Sequence, residues 1–290
     1  FKALPFVREK CGIVKIRHFI FALVVRNVKC ILVVVVRKAR KRFSRGDSES
    51  AVYRSIFFGV AVKRQMTSNI AHELRTPITV IHGYIETILK QPSLSEERKT
   101  HFLRHALMQS ERLTDLIRDV SLISKMEDAP SLLPRERLCV NNIVSDVAEE
   151  FKEAMEQNDM RLYAELPQGI SVNGNYSLLY SVFRNLVENS VKYAGRGTEV
   201  HLVMTKEDAK FYHFDYFDTG KGVDAKHLPR IFERFYRVEE GRTRSEKNEK
   251  GGTGLGLSIV RNAVVFHGGT IWADNRKEGG LEFLFTLSKK

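Results

Sequence analysis

Residues 67–90 read TSNIAHELRTPITVIHGYIETILK, and this stretch decides the architecture of the first half of the chain. Its aliphatic residues recur every three or four positions, which is the spacing of one face of an α-helix. Gln91-Pro92-Ser93 ends the pattern, and Ser95 before two glutamates is typical of the N-cap and first turn of a second helix. Two helices joined by so short a connection predict an antiparallel hairpin. The stripes of the two helices are Ile70, Leu74, Ile78, Ile81, Ile85 and Ile88, then Leu103, Leu107, Ser110, Leu113, Ile117, Val120 and Ser124.

A single hairpin cannot cover the seam that these stripes form. We therefore expect a homodimer in which two hairpins build a four-helix bundle. The alternative is a hairpin that packs against the C-terminal domain of its own chain.

The second half of the chain mixes helical and strand patterns, which predicts an α/β sandwich and places the whole chain in the α+β class. We expect helices at 141–157, 176–193, 224–235 and 254–266, and strands at 160–165, 199–205, 211–217, 270–274 and 281–287. The predicted domains are an N-terminal segment at 1–45, a connector at 46–66, the hairpin at 67–127, a linker at 128–137 and a C-terminal domain at 138–290.

The positive charge of the chain is confined to its N-terminal segment. The formal net charge is +12, and residues 1–45 hold thirteen Lys or Arg and one acid, whereas the remainder carries 34 of each sign. Nucleic acid is therefore not an expected partner of the two domains. Residues 19–36 are mostly apolar and precede the basic run 37–42, which is typical of a transmembrane helix with a cytoplasmic flank.

Two charged residues weigh against this membrane span. Arg26 and Lys29 lie inside the apolar run, and each opposes insertion by about 2.5–3.5 kcal/mol at a helix centre. The membrane interpretation places the protein at the inner or plasma membrane with its two predicted domains in the cytoplasm. The alternative is a cytoplasmic protein with a basic arm.

His72 lies on the face of the first helix opposite the isoleucine stripe, so we expect its imidazole to be exposed. Glu73 is placed to accept the Nδ1 proton, which leaves Nε2 as a nucleophile. Pro77 removes a backbone donor and loosens the helix one turn later. A zincin site is excluded because HExxH requires a histidine where the chain has Thr76. A histidine without a function is the alternative.

Three polar residues of the helix predicted at 176–193 share one face, because Asn185, Asn189 and Lys192 follow one another at intervals of four and three residues. An amide oxygen is a hard ligand suited to Mg²⁺, and lysine suits phosphate. Asp218 ends an aromatic strand and precedes turn glycines, where a carboxylate suits hydrogen bonding to an exocyclic amine. Each pattern alone also fits an ordinary polar surface.

Residues 251–260, GGTGLGLSIV, place glycines at the start of a predicted helix, where backbone N–H groups can approach phosphate. The spacing is not GxGxxG and no Lys-Ser/Thr follows, which excludes a dinucleotide-binding fingerprint and a P-loop. The charged stretch 238–250 before these glycines is typical of a mobile lid.

The run HELRTP at His72–Pro77 resembles the phosphoacceptor box of bacterial sensor histidine kinases, and the phosphate-sensing type is the nearest likeness. Four further blocks follow in that family's order over about residues 60–288. The resemblance implies a dimeric helical hairpin followed by a Bergerat-type ATP-binding domain. The blocks are an N box at 185–193, DxGxG at 218–222, an F box at 231–237 and a glycine-rich box at 251–260.

The resemblance also implies the activity. With ATP and Mg²⁺, His72 is phosphorylated with the help of Glu73, and the phosphoryl group passes to an aspartate of a response-regulator receiver domain. Thr76 is implied in dephosphorylation of that regulator. Asn189 is implied to ligate Mg²⁺. The implied nucleotide-binding residues are Asn185, Asn189, Lys192, Tyr193, Asp218, Gly220, Gly222, Arg234, Arg237, Gly252, Thr253, Gly254, Leu255 and Gly256.

Two other functions remain as alternatives. Related ATPases of the gyrase and MutL type carry a glutamate, the general base for water, at the position of Asn185, so its absence here favours phosphoryl transfer over sustained ATP hydrolysis. The other alternative is a catalytically silent dimeric scaffold. The presence of His72, Asn189 and Asp218 weighs against it.

Overall fold

The computed structural model describes residues 48–238 and 252–289. The chain divides into two compact units, residues 1–65 and 66–290, and of the first unit the described part is the helical backbone from Ser48 onward.

Two predicted segments lie outside the described residues, namely the membrane span at 19–36 and the lid at 238–250 apart from its first residue. Within the described ranges, no helix combines the length and the apolar character that a membrane crossing requires.

Two long helices form the predicted hairpin. Helix α1 spans Ser48–Lys90 and helix α2 spans Glu96–Asp128. The Ser95 hydroxyl accepts the backbone N–H of Arg98 at 3.4 Å, and two glutamates in the first turn of α2 complement the helix dipole. Tyr84 of α1 stacks on Phe102 of α2 with ring centroids 5.4 Å apart, so the two helices turn back on each other directly after the connection.

The hairpin has one open face and one covered face. Along the predicted stripes, Ile85, Leu103 and Leu107 are exposed by 45%, 56% and 60%. On the other side, Ile123 and Met126 are buried in the same apolar cluster as the core of the C-terminal domain. The hairpin therefore packs on its own C-terminal domain and still presents an unfilled apolar seam.

The C-terminal domain contains three helices, seven strands and a short 3₁₀ helix among its described residues. The elements are β1 Glu136–Cys139, α3 Val140–Gln157, β2 Arg161–Glu165, β3 Ser171–Gly174, α4 Tyr176–Tyr193, β4 Glu199–Glu207, β5 Phe211–Asp218, the 3₁₀ helix Ala225–Arg230, α5 Gly256–Phe266, β6 Ile271–Asn275 and β7 Leu281–Ser288. The main sheet has the order β2-β4-β5-β7-β6, in which β2 and β4 are parallel and the other neighbours are antiparallel, while β1 and β3 form a separate antiparallel pair.

The helices cover one face of this sheet. Alternate strand residues point toward them, as shown by Phe285 of β7, whose ring lies 6.2 Å from that of Phe183 in α4. The opposite face carries a stack of three rings across β2, β4 and β5, with centroid distances of 5.0 Å and 4.7 Å between Tyr163, His201 and Phe217. Trp272 of the edge strand β6 is 50% exposed.

The predicted helix at 224–235 is wrong. Residues Ala225–Arg230 form a 3₁₀ helix that contains Pro229, and the chain then turns, with Phe235 at a φ of +63°. Proline has no backbone N–H to donate to a helical hydrogen bond, so this segment forms a short 3₁₀ helix and a turn although its apolar residues have helical spacing. The predictions also missed the two short strands β1 and β3.

Candidate functional site

His72 is exposed, as the sequence predicts, with 74% of its side chain accessible on α1. Its Nδ1 lies 3.8 Å from Oε1 of Glu73, which is longer than a hydrogen bond. Thr76 donates its hydroxyl to the carbonyl of His72 at 3.4 Å. Pro77 lies inside the helix and has no N–H for the carbonyl of Glu73, so the turn that begins at the histidine lacks one backbone hydrogen bond.

The polar residues of α4 meet the glycine-rich segment at the start of α5. Asn185 donates to the carbonyl of Ser181 at 2.7 Å, and its Oδ1 lies so close to Gly256 that a Cβ there would be only 2.5 Å away. The hydroxyl of Tyr193 accepts the backbone N–H of Gly252 at 3.4 Å. The structure therefore brings the N box and the glycine-rich box together.

Asn189 and Lys192 lie on the same helix, and both are partly buried. The Lys192 ammonium contacts Oε1 of Glu188 at 2.5 Å and lies 3.9 Å from the position that a Cβ on Gly252 would take. This lysine therefore faces the glycine-rich segment while it is engaged by a carboxylate of its own helix.

Asp218 ends β5 in a buried position, with 4% of the residue exposed. Burial raises the pKa of its carboxyl group, and hydrogen bonds from the N–H groups of Gly220 and Leu281 and from the hydroxyl of Ser190 oppose that rise. The hydroxyl of Ser190 is also 2.9 Å from that of Tyr216. Three groups thus hold the Asp218 carboxylate at the end of β5, and Tyr216 supports one of them, the Ser190 hydroxyl.

Two glycines allow the close approaches that shape the site. A Cβ on Gly220 would lie 2.5 Å from the carbonyl oxygen of Ala194, so the turn after β5, which also contains Gly222, packs closely against the end of α4. Gly254 has a φ of +73°, a backbone conformation that L-residues rarely adopt. A Cβ on this glycine would also lie 2.9 Å from the backbone of Phe235. The buried Leu255 follows and donates its N–H to the Thr253 hydroxyl at 3.2 Å.

Arg234 of the F box points toward the hairpin. Arg234 forms an ion pair with Glu127 of α2, and its other amino group lies 3.2 Å from the sulfur of Met66. Burial and the charge of Arg237 lower the pKa of Arg112, a residue of α2. Arg234 therefore contacts the hairpin, and the nucleotide-binding roles that the resemblance implies for Arg234 and Arg237 stay predictions.

Asp119 is a site residue that sequence reasoning missed. It lies on α2 and accepts a hydrogen bond from the Thr253 hydroxyl at 3.1 Å. Burial raises the pKa of Asp119 to about 6, the hydrogen bond from Thr253 opposes this, and the charges of Glu188 and Asp115 add to it. Asp119 therefore links the glycine-rich segment to the hairpin through a hydroxyl–carboxylate hydrogen bond.

Comparison with known proteins identifies both domains. Residues 62–129 match the His Kinase A phospho-acceptor domain, and residues 174–290 match the histidine kinase-, DNA gyrase B-, and HSP90-like ATPase domain. The chain belongs to the sensor histidine kinase family. Within this family it is 33% identical over 206 residues to the phosphate regulon sensor protein PhoR of Pseudomonas aeruginosa, covering 71% of this chain and 45% of that protein.

A second family member, the sensor histidine kinase WalK of Bacillus subtilis, is 30% identical over 237 residues, covering 79% of this chain and 37% of that protein. The chain thus spans less than half the length of these two sensor histidine kinases. The crystal structure of histidine kinase ThkA in complex with response regulator protein TrrA has the same fold, with a TM-score of 0.62, 22% identity, and coverage of 83% of this chain and 66% of that one.

The donor chemistry of the site suits a nucleotide and a magnesium ion. The described residues hold no cluster of three or more His, Cys, Asp or Glu suited to a metal, and Asn189 offers an amide oxygen. Mg²⁺ is commonly bound by few protein ligands together with substrate phosphates, and an amide oxygen fits that role. The buried carboxylate of Asp218 and the glycine backbone supply the acceptor and donors that a base and phosphates require.

Proposed function

We propose that this chain is an ATP-dependent protein histidine kinase that phosphorylates its own His72. The observation that carries the proposal is the combination, in one chain, of an exposed helical histidine and an ATPase domain whose N box meets a glycine-rich segment. ATP and Mg²⁺ bind between α4, Asp218 and the glycine-rich segment.

Each residue has a role in holding ATP. The Asp218 carboxylate accepts the exocyclic amino group of adenine. Lys192 and the backbone of residues 252–256 contact the phosphates, and Tyr193 flanks the nucleotide. Gly220 and Gly222 shape the turn beside the base. Asn189 would hold Mg²⁺, which would offset negative charge on the phosphates, and Asn185 lies near the phosphates.

The phosphoryl transfer uses His72 as nucleophile. The lone pair of Nε2 forms a bond to the γ-phosphorus, the bond to the bridging oxygen breaks, and ADP leaves with that electron pair. The Nδ1 proton passes to Glu73, which lies 3.8 Å away and reaches hydrogen-bonding distance by a small side-chain rotation. The high exposure of His72 suits an acceptor that must meet a nucleotide from another domain.

The phosphohistidine then passes its phosphoryl group to an aspartate of a response-regulator receiver domain. The ThkA relative is named in complex with such a regulator, which supports this class of partner. Thr76, one turn beyond His72, positions a water molecule that attacks the aspartyl phosphate of the regulator, so that inorganic phosphate leaves and the free aspartate is regenerated. Because Asn185 stands where related ATPases carry a general base for water, bound ATP is protected from hydrolysis.

The hairpin supplies a homodimer interface. Its exposed apolar residues lie on both helices, and pairing of two hairpins as a four-helix bundle would bury them. Attachment to a membrane through residues 19–36, with the catalytic domains on the cytoplasmic side, remains a prediction from the sequence.

The test is incubation with γ-labelled ATP and Mg²⁺, comparing the unaltered chain with His72→Gln. We expect label that is labile in acid, stable in base and absent from the variant. Bound ATP with no label, together with steady phosphate release, would instead support the ATPase alternative. Failure to bind ATP at all would contradict the proposed function.

A further inference from the structure

Glu188 lies on α4 directly before Asn189, and both of its carboxylate oxygens contact cations. Oε1 is 2.5 Å from Nζ of Lys192, and Oε2 is 3.1 Å from Nη1 of Arg184. The side chains are only partly exposed, with 24% of Glu188 and 33% of Lys192 accessible, so water screens this contact less than it screens a surface pair. The carboxylate is thus a strong partner for the lysine.

Arg184 fixes Glu188 independently of Lys192. Its Nε contacts Oε1 of Glu150 on α3 at 3.1 Å, and Glu150 in turn accepts the hydroxyl of Tyr180. Burial lowers the pKa of Arg184, but the charges of Glu188 and Glu150 outweigh it and raise the pKa overall. Glu188 is therefore held and charge-compensated even when Lys192 turns to another anion.

We propose that Glu188 tunes the affinity for ATP by competing with the phosphates for the ammonium group of Lys192. The inference rests on the proposed function, in which Lys192 contacts phosphate. Ammonium is a compact point charge on a flexible stem, so it can exchange one anionic partner for another without rearrangement of the helix. Glu188 is in this sense a positioning residue that acts through Lys192, and its presence favours release of nucleotide.

Two other roles of Glu188 predict different effects on ATP binding. If Glu188 instead orients Lys192 toward the phosphates, removal of its charge will weaken ATP binding. If Glu188 only stabilises α4, removal of its charge will change the binding of ATP and of adenosine equally, or will change neither.

Calorimetric titration of the full chain with ATP, and separately with adenosine, distinguishes these roles. We expect Glu188→Gln to tighten ATP binding by about two- to fivefold, the size of one partly exposed ion pair, and to leave adenosine binding unchanged. Glu188→Asp, which keeps the charge on a shorter side chain, should give a smaller gain. Glu150→Gln is the matched control, because it removes a carboxylate from Arg184 without touching Lys192, and it should leave both affinities unchanged.

A double-mutant cycle assigns the effect to Lys192. Glu188→Gln should have no effect on ATP affinity in a Lys192→Met background. Weaker or unchanged ATP binding by Glu188→Gln, or an equal change for adenosine, would overturn the inference. If Lys192→Met weakens ATP binding while Glu188→Gln does not tighten it, the role of Glu188 fails and the proposed function stands. If the unaltered chain binds no ATP, the proposed function itself fails.

Discussion

The Thr253 hydroxyl donates a hydrogen bond of 3.1 Å to Oδ2 of Asp119. Thr253 belongs to the glycine-rich segment and Asp119 to helix α2, so the contact joins the ATPase domain to the hairpin. The nearby pair of Arg234 and Glu127 joins the same two domains. In the proposed reaction the ATPase domain must approach His72. These contacts hold that domain against α2 and therefore oppose the movement.

Docking of the ATPase domain on α2 should weaken as pH rises from about 4 to about 6. Burial raises the pKa of Asp119 from 3.8 to about 6 when the ATPase domain is docked on α2. Between these two pH values the undocked form is ionised and the docked form is still protonated, so the free energy of docking becomes less favourable as pH rises. The change amounts to about 2–3 kcal/mol. Small-angle X-ray scattering across this range should show expansion, and Asp119→Asn should abolish the pH dependence. An unchanged profile in the variant would contradict this role of Asp119.

The fold should lose stability as pH falls from about 6.5 to about 4 because of His267. This residue is 2% exposed, its Nε2 accepts the backbone N–H of Asn175 at 3.0 Å, and burial lowers its pKa to about 4. Since protonation is then easier in the unfolded chain, folding loses about 2 kcal/mol by pH 5. Urea unfolding at pH 7 and pH 5 measures this difference. His267→Gln should flatten it, and an equally steep dependence in that variant would assign it to other groups.

Substitution of Gly280 should destabilise the C-terminal domain. It has a φ of +102°, and a Cβ there would lie 1.7 Å from the carbonyl oxygen of Asp218. We expect Gly280→Ala to cost more than about 2 kcal/mol of unfolding free energy in urea. Gly83→Ala is the control, since nothing lies within 4 Å of a Cβ there and the residue is inside α1, so it should stabilise by about 0.5–1 kcal/mol. Equal effects of the two changes would contradict the steric argument.

A charge on the open seam of the hairpin should dissociate the proposed dimer. Leu107 is 60% exposed on α2, and pairing of two hairpins would bury a carboxylate placed there, which costs free energy. Leu107→Glu should therefore shift the mass measured by light scattering from dimer to monomer. Leu132→Glu is the matched control, because Leu132 is 80% exposed but lies in the 3₁₀ turn after the hairpin. A dimer that survives Leu107→Glu would move the interface elsewhere.

Periodicity predicted the hairpin and most of the strands because each needs only local information. The second face of α2 was missed although its spacing is equally regular. Arg112, Leu116, Asp119, Ile123 and Met126 follow one another at four and three residues, one position before the stripe that was recognised. Two of the five are charged, so hydrophobicity alone did not mark the stripe, and only the packed structure shows that this face meets the ATPase domain.

Residue types and the family resemblance together pointed to candidate nucleotide-binding residues on α4 and β5. The structure brings the end of β5 against α4, and the binding roles stay predictions. The orientation of Arg234 could not be predicted, because its partner Glu127 lies more than a hundred residues away in sequence. The 3₁₀ helix at Ala225–Arg230 shows a different limit, since the apolar spacing there matched an α-helix and only the weight given to Pro229 would have excluded one.

Trp272 gives the protein a built-in optical reporter. It is the sole tryptophan of the chain, and it stands half exposed on the edge strand of the sheet, on the face that the described helices do not cover. Its fluorescence will therefore follow solvent access at that edge, and iodide quenching will decrease when another molecule covers the strand. Emission changes on adding nucleotide would accordingly signal a rearrangement that reaches β6, while an unchanged spectrum is compatible with full occupancy at Asp218.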